Sequence, residues 1–327
     1  MPMRAIVCPD YGPPEILTVE QKDVPEPGPG QVLVEHKAWG INYVDVLMCA
    51  GGYQLKPPVP FIPGLEAAGD VVALGTGVDG IAVGDRVMTS GRPGVFAEFC
   101  ALEKSQVHAL PSTFDYAEGA AFRSAYMTAW NALTHGGNLQ AGEVLLVHGA
   151  AGGVGLAAVH IGRLLGAMVI ATAGSDDKLA VVKAQGADHV INYSDPTVLR
   201  EAVKGLTDGR GADVIYDPVG GQVAEESLRC MNYGCRVIYI GFTGGAPVNI
   251  RSNLLLIKGA TAVGFRAGEI GRRIPGLNEK TIATLYTLAE QGRLRPHISH
   301  RLEWPNIQAA MRPIEDRSVI GKVVMTR

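Results

Sequence analysis

The chain lacks the features that would place it outside a reducing compartment. Its five cysteines (Cys8, Cys49, Cys100, Cys230, Cys235) include no C-x-x-C pair, and an odd count does not suit a secreted disulfide framework. They read as reduced, mostly buried thiols. The charged, apolar and small order of a signal peptide is missing from MPMRAIVCPD, so the expected compartment is cytoplasmic. Long uninterrupted apolar runs are missing too. The most tempting stretch, 152–174, is glycine-rich and interrupted by His160 and Arg163, which fits a buried helix followed by a buried strand and excludes a membrane-embedded reading. Positive charge is not in excess: at a net charge of −3 there is no global attraction for nucleic acid or an anionic membrane, and neither is expected as a partner. The arginines toward the C-terminus (Arg266, Arg272, Arg273, Arg293, Arg295, Arg301) are scattered rather than striped. No internal repeat or low-complexity segment interrupts the chain.

What remains is a compact, loop-rich globular chain. It has 327 residues, 47% hydrophobic and 19% charged, with 42 glycines. A prior of roughly 100–200 residues per domain gives two domains, and glycines among β-branched runs favour an α/β class. Up to about residue 120 the short runs AIVC, VLVEHKAWGI, AAGDVVALG, DRVMTS and FAEFCAL are punctuated by proline and glycine, as in a curled, mostly antiparallel β domain. Near Tyr116 the rhythm changes. YAEGAAFRSAYMTAWNAL is helical in period, and buried strands at 144–148, 168–171, 189–191, 213–216, 236–240 and 261–264 then alternate with helical stretches. That is the rhythm of a doubly wound parallel sheet. Beyond residue 264 come a helix at 278–291, extended pieces and a final strand, GKVVMT, expected to return to the first domain. The expected division is therefore 1–122 with 266–327 for the β-rich domain and 123–265 for the inserted one.

The most informative stretch is VLLVHGAAGGVG at 144–155, where an apolar run enters a glycine-rich turn and the helical LAAVHIGRLLGA follows at once. In a dinucleotide-binding βαβ unit such a turn brings backbone N–H groups at a helix N-terminus to the cofactor pyrophosphate, and side chains there would hold the phosphates off. The spacing is A-x-G-x-x-G, Ala150, Gly152 and Gly155, with alanine in place of the first glycine of the commoner fingerprint. An ordinary glycine-rich turn has the same letters, but the flanking strand and helix favour the nucleotide site. About 20 residues past such glycines an acid normally binds the ribose 2′-OH of NAD. Here VIATAGSDDK has no acid at 172–174, and Ser175 and Lys178 follow as a hydroxyl and a cation suited to a phosphate. Asp176 and Asp177 argue the other way, although both suit the first turn of a helix. NADP(H) is the favoured cofactor.

With AAGGVG after a strand, INY at 191–193, DPVGG at 217–221 and GPGQVLVEHKAWGINYVDVLMCAGGY at 28–53, the chain resembles the medium-chain dehydrogenase/reductase superfamily. Within it, the likeness is to the zinc-free quinone oxidoreductases related to zeta-crystallin, and it extends over essentially the whole chain. The resemblance implies a GroES-like β-rich catalytic domain built from both chain ends, a Rossmann domain between them, and a cleft where they meet.

The zinc-dependent members of that superfamily carry Cys-His-(Ser/Thr)-Asp where this chain has Asn42-Tyr43-Val44-Asp45, and Gly-His-Glu where it has Gly64-Leu65-Glu66; their third ligand falls near Ser124. Catalytic zinc needs Cys, His or carboxylate ligands, and Leu65 cannot be one. A four-cysteine structural-zinc loop is missing as well. No zinc is therefore expected, and Glu66 is expected to be a buried structural carboxylate. Without a metal to polarise an unactivated ketone, the acceptor must already be electrophilic, as quinones and alkenes conjugated to carbonyls are.

By resemblance, Gly152, Gly153, Val154 and Gly155 contact the pyrophosphate, and Ser175, Lys178 and Tyr193 surround the adenosine 2′-phosphate. Thr128, in MTAW, is placed beneath the nicotinamide. Val219, Gly241 and Phe242 end strands at the carboxyl edge, where open α/β sheets bind ligands, and Phe265 and Arg266 follow the sixth strand. Asn42 and Tyr53 match positions facing the substrate, with Tyr43 and Tyr126 weaker candidates; a tyrosine or solvent would supply a proton. Lys322 either reaches the cofactor or is a surface lysine, and His148, His160 and His189 read as packed side chains. The expected activity is NADPH-dependent quinone reduction without zinc by a homodimer or homotetramer. The alternatives are an alkenal or enoyl reductase on the same scaffold and, from another class, an NADPH-binding sensor, structural or RNA-associated module with little turnover.

Overall fold

The computed structural model describes residues 2–91 and 94–327. They form two compact units, one comprising the chain up to Ser124 together with Tyr286–Arg327, the other Ala125–Leu285. The first unit opens with β1 (Pro2–Val7), paired antiparallel to β2 (Thr18–Asp23), and continues into the long β3 (Gln31–Ile41). Helix α1 (Tyr43–Cys49) follows, its first turn closed by a capping box between Asn42 and Asp45. Then come β4 (Glu66–Leu74), β5 (Arg86–Ser90), β6 (Phe99–Glu103), β7 (Val107–Ala109) and helix α2 (Tyr116–Asn131). Helix α2 lies directly on β3: a Cβ on Gly40 would sit 1.9 Å from the carbonyl oxygen of Ala120, so only glycine admits that approach.

In the second unit the alternation is regular. β8 (Val144–Val147), α3 (Gly153–Leu164), β9 (Met168–Ala173), α4 (Asp176–Ala184), β10 (His189–Asn192), α5 (Leu199–Leu206), β11 (Ala212–Asp217), α6 (Gly221–Ser227), β12 (Met231–Tyr239), α7 (Ser252–Lys258) and β13 (Thr261–Gly264) build one parallel sheet. Its spatial order is β10-β9-β8-β11-β12-β13, so the order reverses between β8 and β11, the switch point where open α/β sheets take their ligands. All four residues of β8 are buried, as a strand covered on both faces must be.

After α8 (Ala267–Arg273) and α9 (Leu277–Glu290), the strand β14 (Ile298–Glu303), helix α10 (Ile307–Glu315) and strand β15 (Lys322–Thr326) return to the first unit. There β15 pairs antiparallel with β3, completing the sheet order β14-β15-β3-β4-β5-β7. Trp304 stacks on Trp39 of β3 with ring centroids 3.9 Å apart. The α/β class and the fold-back of the last strand are as the sequence indicates. The return, however, comes at Tyr286 rather than at 266, because 266–285 packs as part of the second unit. Among the described residues no helix is long and apolar enough to cross a membrane.

Candidate active site

In the second unit, the chain leaves β8 through His148 and Gly149 and enters α3 at Gly152, the N-cap, whose extended backbone starts the helix without a capping side chain. Two glycines keep side chains out of this turn, and a backbone hydrogen bond ties it down. Gly149 has φ +54°, which favours glycine, and a Cβ there would stand 2.9 Å from Val219 Cγ2. A Cβ on Gly155 would reach 2.2 Å from the Gly149 carbonyl oxygen, and Ala150 is tied by its N–H to the Thr172 carbonyl at 2.9 Å. Gly152, Gly153 and Val154 form the half-exposed rim. A twelve-residue helix thus presents its first amides and positive dipole end at the switch point.

A second corner forms at the end of β9. Ser175 is the N-cap of α4, yet its hydroxyl makes no capping bond. Lys178 stands in the first turn, half-buried, and burial lowers its pKa. Tyr193 donates its backbone N–H to the Ala173 carbonyl at 3.0 Å, and a Cβ on Gly174 would stand 3.5 Å from its ring, so Ser175, Lys178 and Tyr193 share one corner. Asp176, which argued for NAD, accepts a hydrogen bond from Asn192 Nδ2 at 2.7 Å.

The third loop, 218–221, is held by Asp217 Oδ1, which accepts from the backbone N–H of Val219 (2.8 Å) and Gly220 (3.0 Å). Val219 is buried against the glycine turn, Gly241 is half-exposed and Phe242 exposed at 45%. Phe265 is buried, and a Cβ on Gly136 would stand 2.9 Å from its ring. Arg266 is exposed at the N-cap of α8. Thr128 is half-buried on α2. Tyr126, on the same helix, is buried and its hydroxyl lies 2.7 Å from His160 Nδ1, whose Nε2 lies 3.0 Å from Gln185 Oε1. Since the amide oxygen accepts from Nε2–H, Nδ1 is the acceptor and the Tyr126 hydroxyl donates to it. Burial also raises the Tyr126 pKa, so this phenol is engaged in packing chemistry rather than poised to give up a proton.

In the first unit the residues at the zinc-ligand positions form an ionic cluster. Lys322 Nζ donates to Glu66 Oε1 at 2.5 Å and to Asn42 Oδ1 at 2.6 Å, while Asn42 Nδ2 donates to the same Glu66 oxygen at 3.0 Å. Glu66 Oε2 accepts the backbone N–H of Ser124 at 2.9 Å, and Asp45 Oδ2 accepts that of Asn42 at 2.8 Å. Lys322 and Glu66 are 5% and 2% exposed, so the surface-lysine alternative for Lys322 does not hold. Burial pushes the Asp45 carboxyl up to about 7, against the Asn42 N–H and the Lys322 charge, which pull it down. Arg123, itself buried enough to have its pKa lowered, is drawn upward by Glu66.

These residues do not fit a zinc ion. Asn42, Leu65 and Ser124 offer no thiolate, imidazole or carboxylate, and the Lys322 ammonium already neutralises the Glu66 carboxylate. Among the described residues no three His, Cys, Asp or Glu side chains converge. Two hydrogen bonds fix the Asn42 amide, oxygen toward Lys322 and nitrogen toward Glu66, which leaves the second Nδ2–H to point elsewhere. Tyr53 is half-buried in the loop after α1. Sequence reasoning missed Asp45 and Arg123 as members of this cluster. It also set aside His148 beneath the glycine turn, although its place immediately before Gly149 was a usable signal.

A family model described as the alcohol dehydrogenase GroES-like domain matches residues 28–112, and one described as zinc-binding dehydrogenase matches 153–282. The chain belongs to the medium-chain dehydrogenase/reductase superfamily and is an oxidoreductase. Within that superfamily it stands with the quinone oxidoreductase type. It is 37% identical to the quinone oxidoreductase-like protein 2 homolog of Nematostella vectensis, over 98% of this chain and 88% of that one. To the quinone oxidoreductase of Lama guanicoe it is 34% identical, over 99% and 97%. Among solved structures, a mycobacterial protein complexed with NADPH superposes with a TM-score of 0.91 at 27% identity, covering 99% of this chain and 100% of that one. The CurK enoyl reductase superposes at 0.89 with 28% identity, covering 99% of both.

Proposed function

We propose that the protein is an NADPH-dependent, zinc-independent quinone oxidoreductase. The observation that carries this reading is the ion cluster: Lys322, Glu66 and Asn42 satisfy one another where a metal would otherwise polarise the acceptor. An acceptor reduced here must bring its own electrophilicity, as a quinone does. The quinone oxidoreductase relatives and the NADPH-bound neighbour support the same choice.

Bound NADPH supplies a hydride, and a quinone that takes it with one proton becomes a hydroquinone. The chain's part is binding and orientation. Amides of Gly152, Gly153, Val154 and Gly155 face the pyrophosphate. Ser175, Lys178 and Tyr193 take the 2′-phosphate, with Thr128, Val219, Gly241, Phe242, Phe265, Arg266 and Lys322 completing the cofactor's surroundings. Asn42, with its amide locked, offers the remaining Nδ2–H to an acceptor oxygen. Tyr53 is the preferred tyrosine for the proton, since the Tyr126 hydroxyl is committed to His160. The expected cytoplasmic location suits a soluble small-molecule acceptor. A homodimer is part of the proposal: β13 is an edge strand, and beside it Leu256 and Tyr233 are 83% and 77% exposed. A monomer by sedimentation at micromolar concentration would remove that part.

NADPH oxidation followed at its absorbance maximum, with a quinone, with an enal and without acceptor, tests the reading. Turnover with the quinone is expected. Turnover with the enal alone would replace it by an activated-alkene reductase, the reading that the enoyl reductase neighbour favours. NADPH binding without turnover would leave a nucleotide-binding module.

A further inference from the structure

One rung of the parallel sheet is polar across four neighbouring strands. The strand registers pair Val147 with Ala171 and Tyr216 with Val147, so the next step places His148 between Thr172 of β9 and Asp217 of β11; Asp217 in turn pairs with Tyr239 of β12. In-register neighbours project from the same face of a sheet, so Thr172, His148, Asp217 and Tyr239 form one transverse row. The row is buried: the first three are fully so, and Tyr239 is 9% exposed. Thr172 Oγ1 lies 2.9 Å from His148 Nδ1. Beyond that bond, His148 Nε2, Asp217 Oδ2 and Tyr239 Oη are all buried and have no hydrogen-bond partner among the described residues. Such orphaned atoms are rare in native interiors, and here three occupy adjacent strands.

Each member of the row stands within one residue of the carboxyl end of its strand. Thr172 precedes the Gly174–Ser175 corner, His148 the glycine turn, Asp217 the 218–221 loop and Tyr239 the Gly241–Phe242 segment. Asp217 also fixes its own loop through the Val219 and Gly220 amides, and that loop meets the glycine turn at Gly149 and Val219. An apolar rung would fold at least as easily, since buried polar groups cost free energy unless fully paired.

We propose that Thr172, His148 and Asp217 are positioning residues that lock the loops of the nucleotide edge to one another before the cofactor arrives. This rests on the reading that the edge binds NADPH. Preformed amides spare the cofactor the cost of ordering them.

The test uses the full chain in two measurements. Amide hydrogen exchange of the cofactor-free protein is compared for wild type, Thr172→Val, His148→Phe and His148→Asn, and NADPH binding is titrated by fluorescence. Thr172→Val removes one hydrogen bond at nearly constant volume. It should raise exchange about fivefold, the size of one neutral hydrogen bond, both at 149–152 and at 219–221, two strands away. NADPH affinity should fall by a similar factor, and KM should rise more than kcat falls. His148→Phe should do more, and His148→Asn, which keeps a polar atom at the Nδ1 position, should recover part of the protection. Unchanged exchange at 219–221 in Thr172→Val, or His148→Asn no better than His148→Phe, overturns the coupling. Loosened loops with unchanged NADPH affinity overturn its role in binding. Loops that loosen together in a protein whose wild type takes no NADPH would uphold the coupling and sink the cofactor reading instead.

Discussion

The two units bury polar side chains in opposite ways. In the first, Lys322, Glu66 and Asn42 satisfy one another, with Ser124 and Asp45 closing the margins, so the cluster turns its charges inward. In the second, the rung from Thr172 to Tyr239 leaves atoms without a partner among the described residues, and the helix that starts at the glycine turn above it has no capping side chain. Self-satisfied charge gives a closed cluster whose residues do not fit a zinc ion. A helix start without a capping side chain is the kind of place that suits an anion.

Breaking the closed cluster should have the largest effect. Lys322→Met leaves Glu66 buried and uncompensated, and thermal or urea unfolding should show a loss of about 3–5 kcal/mol, largely restored by Lys322→Arg. A Lys322→Met protein as stable as the wild type would show that the cluster is not a paired one.

Acid should strike the first unit next. His36 is fully buried between the Ala97 carbonyl (3.1 Å from Nδ1) and Thr89 Oγ1 (2.9 Å from Nε2), and burial lowers its pKa to about 4. The unfolded chain then binds more protons than the folded one between pH 6.5 and 4. His36 therefore contributes stability that is present above pH 6.5 and lost as pH falls to 4, about 3 kcal/mol in all. Asp45 runs the other way: raised to about 7, its ionisation costs stability above that pH, and the cost disappears as pH falls toward its ordinary value of 3.8. Urea midpoints at pH 7 and 4.5 in an Asp45→Asn background should expose the histidine loss, and an NMR resonance of His36 titrating near 6.5 would refute it.

The smallest expected effect sharpens the second unit. Lys178→Ala should raise KM for NADPH by about 10- to 150-fold more than KM for NADH, the roughly 1.5–3 kcal/mol of a charge-assisted phosphate contact. Equal changes would reassign the corner formed by Ser175, Lys178 and Tyr193.

The second unit was the more legible in the sequence, and the reason is physical. Parallel strands buried on both faces read as continuous apolar runs, so β8 was expected almost to the residue. Gly155 announces its turn because a Cβ there would meet the Gly149 carbonyl oxygen at 2.2 Å. The first unit's cluster was only half legible. Asn42, Leu65 and Glu66 could be weighed against zinc chemistry residue by residue, but Lys322 lies 256 positions from Glu66 and nothing local marks it as buried. The expected boundary at 266 differs from the division into compact units, which falls inside α9 between Leu285 and Tyr286, and periodicity does not record which core a helix serves. The rung was invisible for a related reason: Thr172, His148, Asp217 and Tyr239 become neighbours only through strand register.

The stacked pair of Trp39 and Trp304 has a practical use. The chain has three tryptophans, and the third, Trp130, belongs to the second unit. Intrinsic emission therefore separates into two channels, a stacked pair reporting on the first unit and a single indole reporting on the second. Replacing both members of the pair by phenylalanine would isolate the Trp130 signal, so that the unfolding of each unit can be followed by light alone.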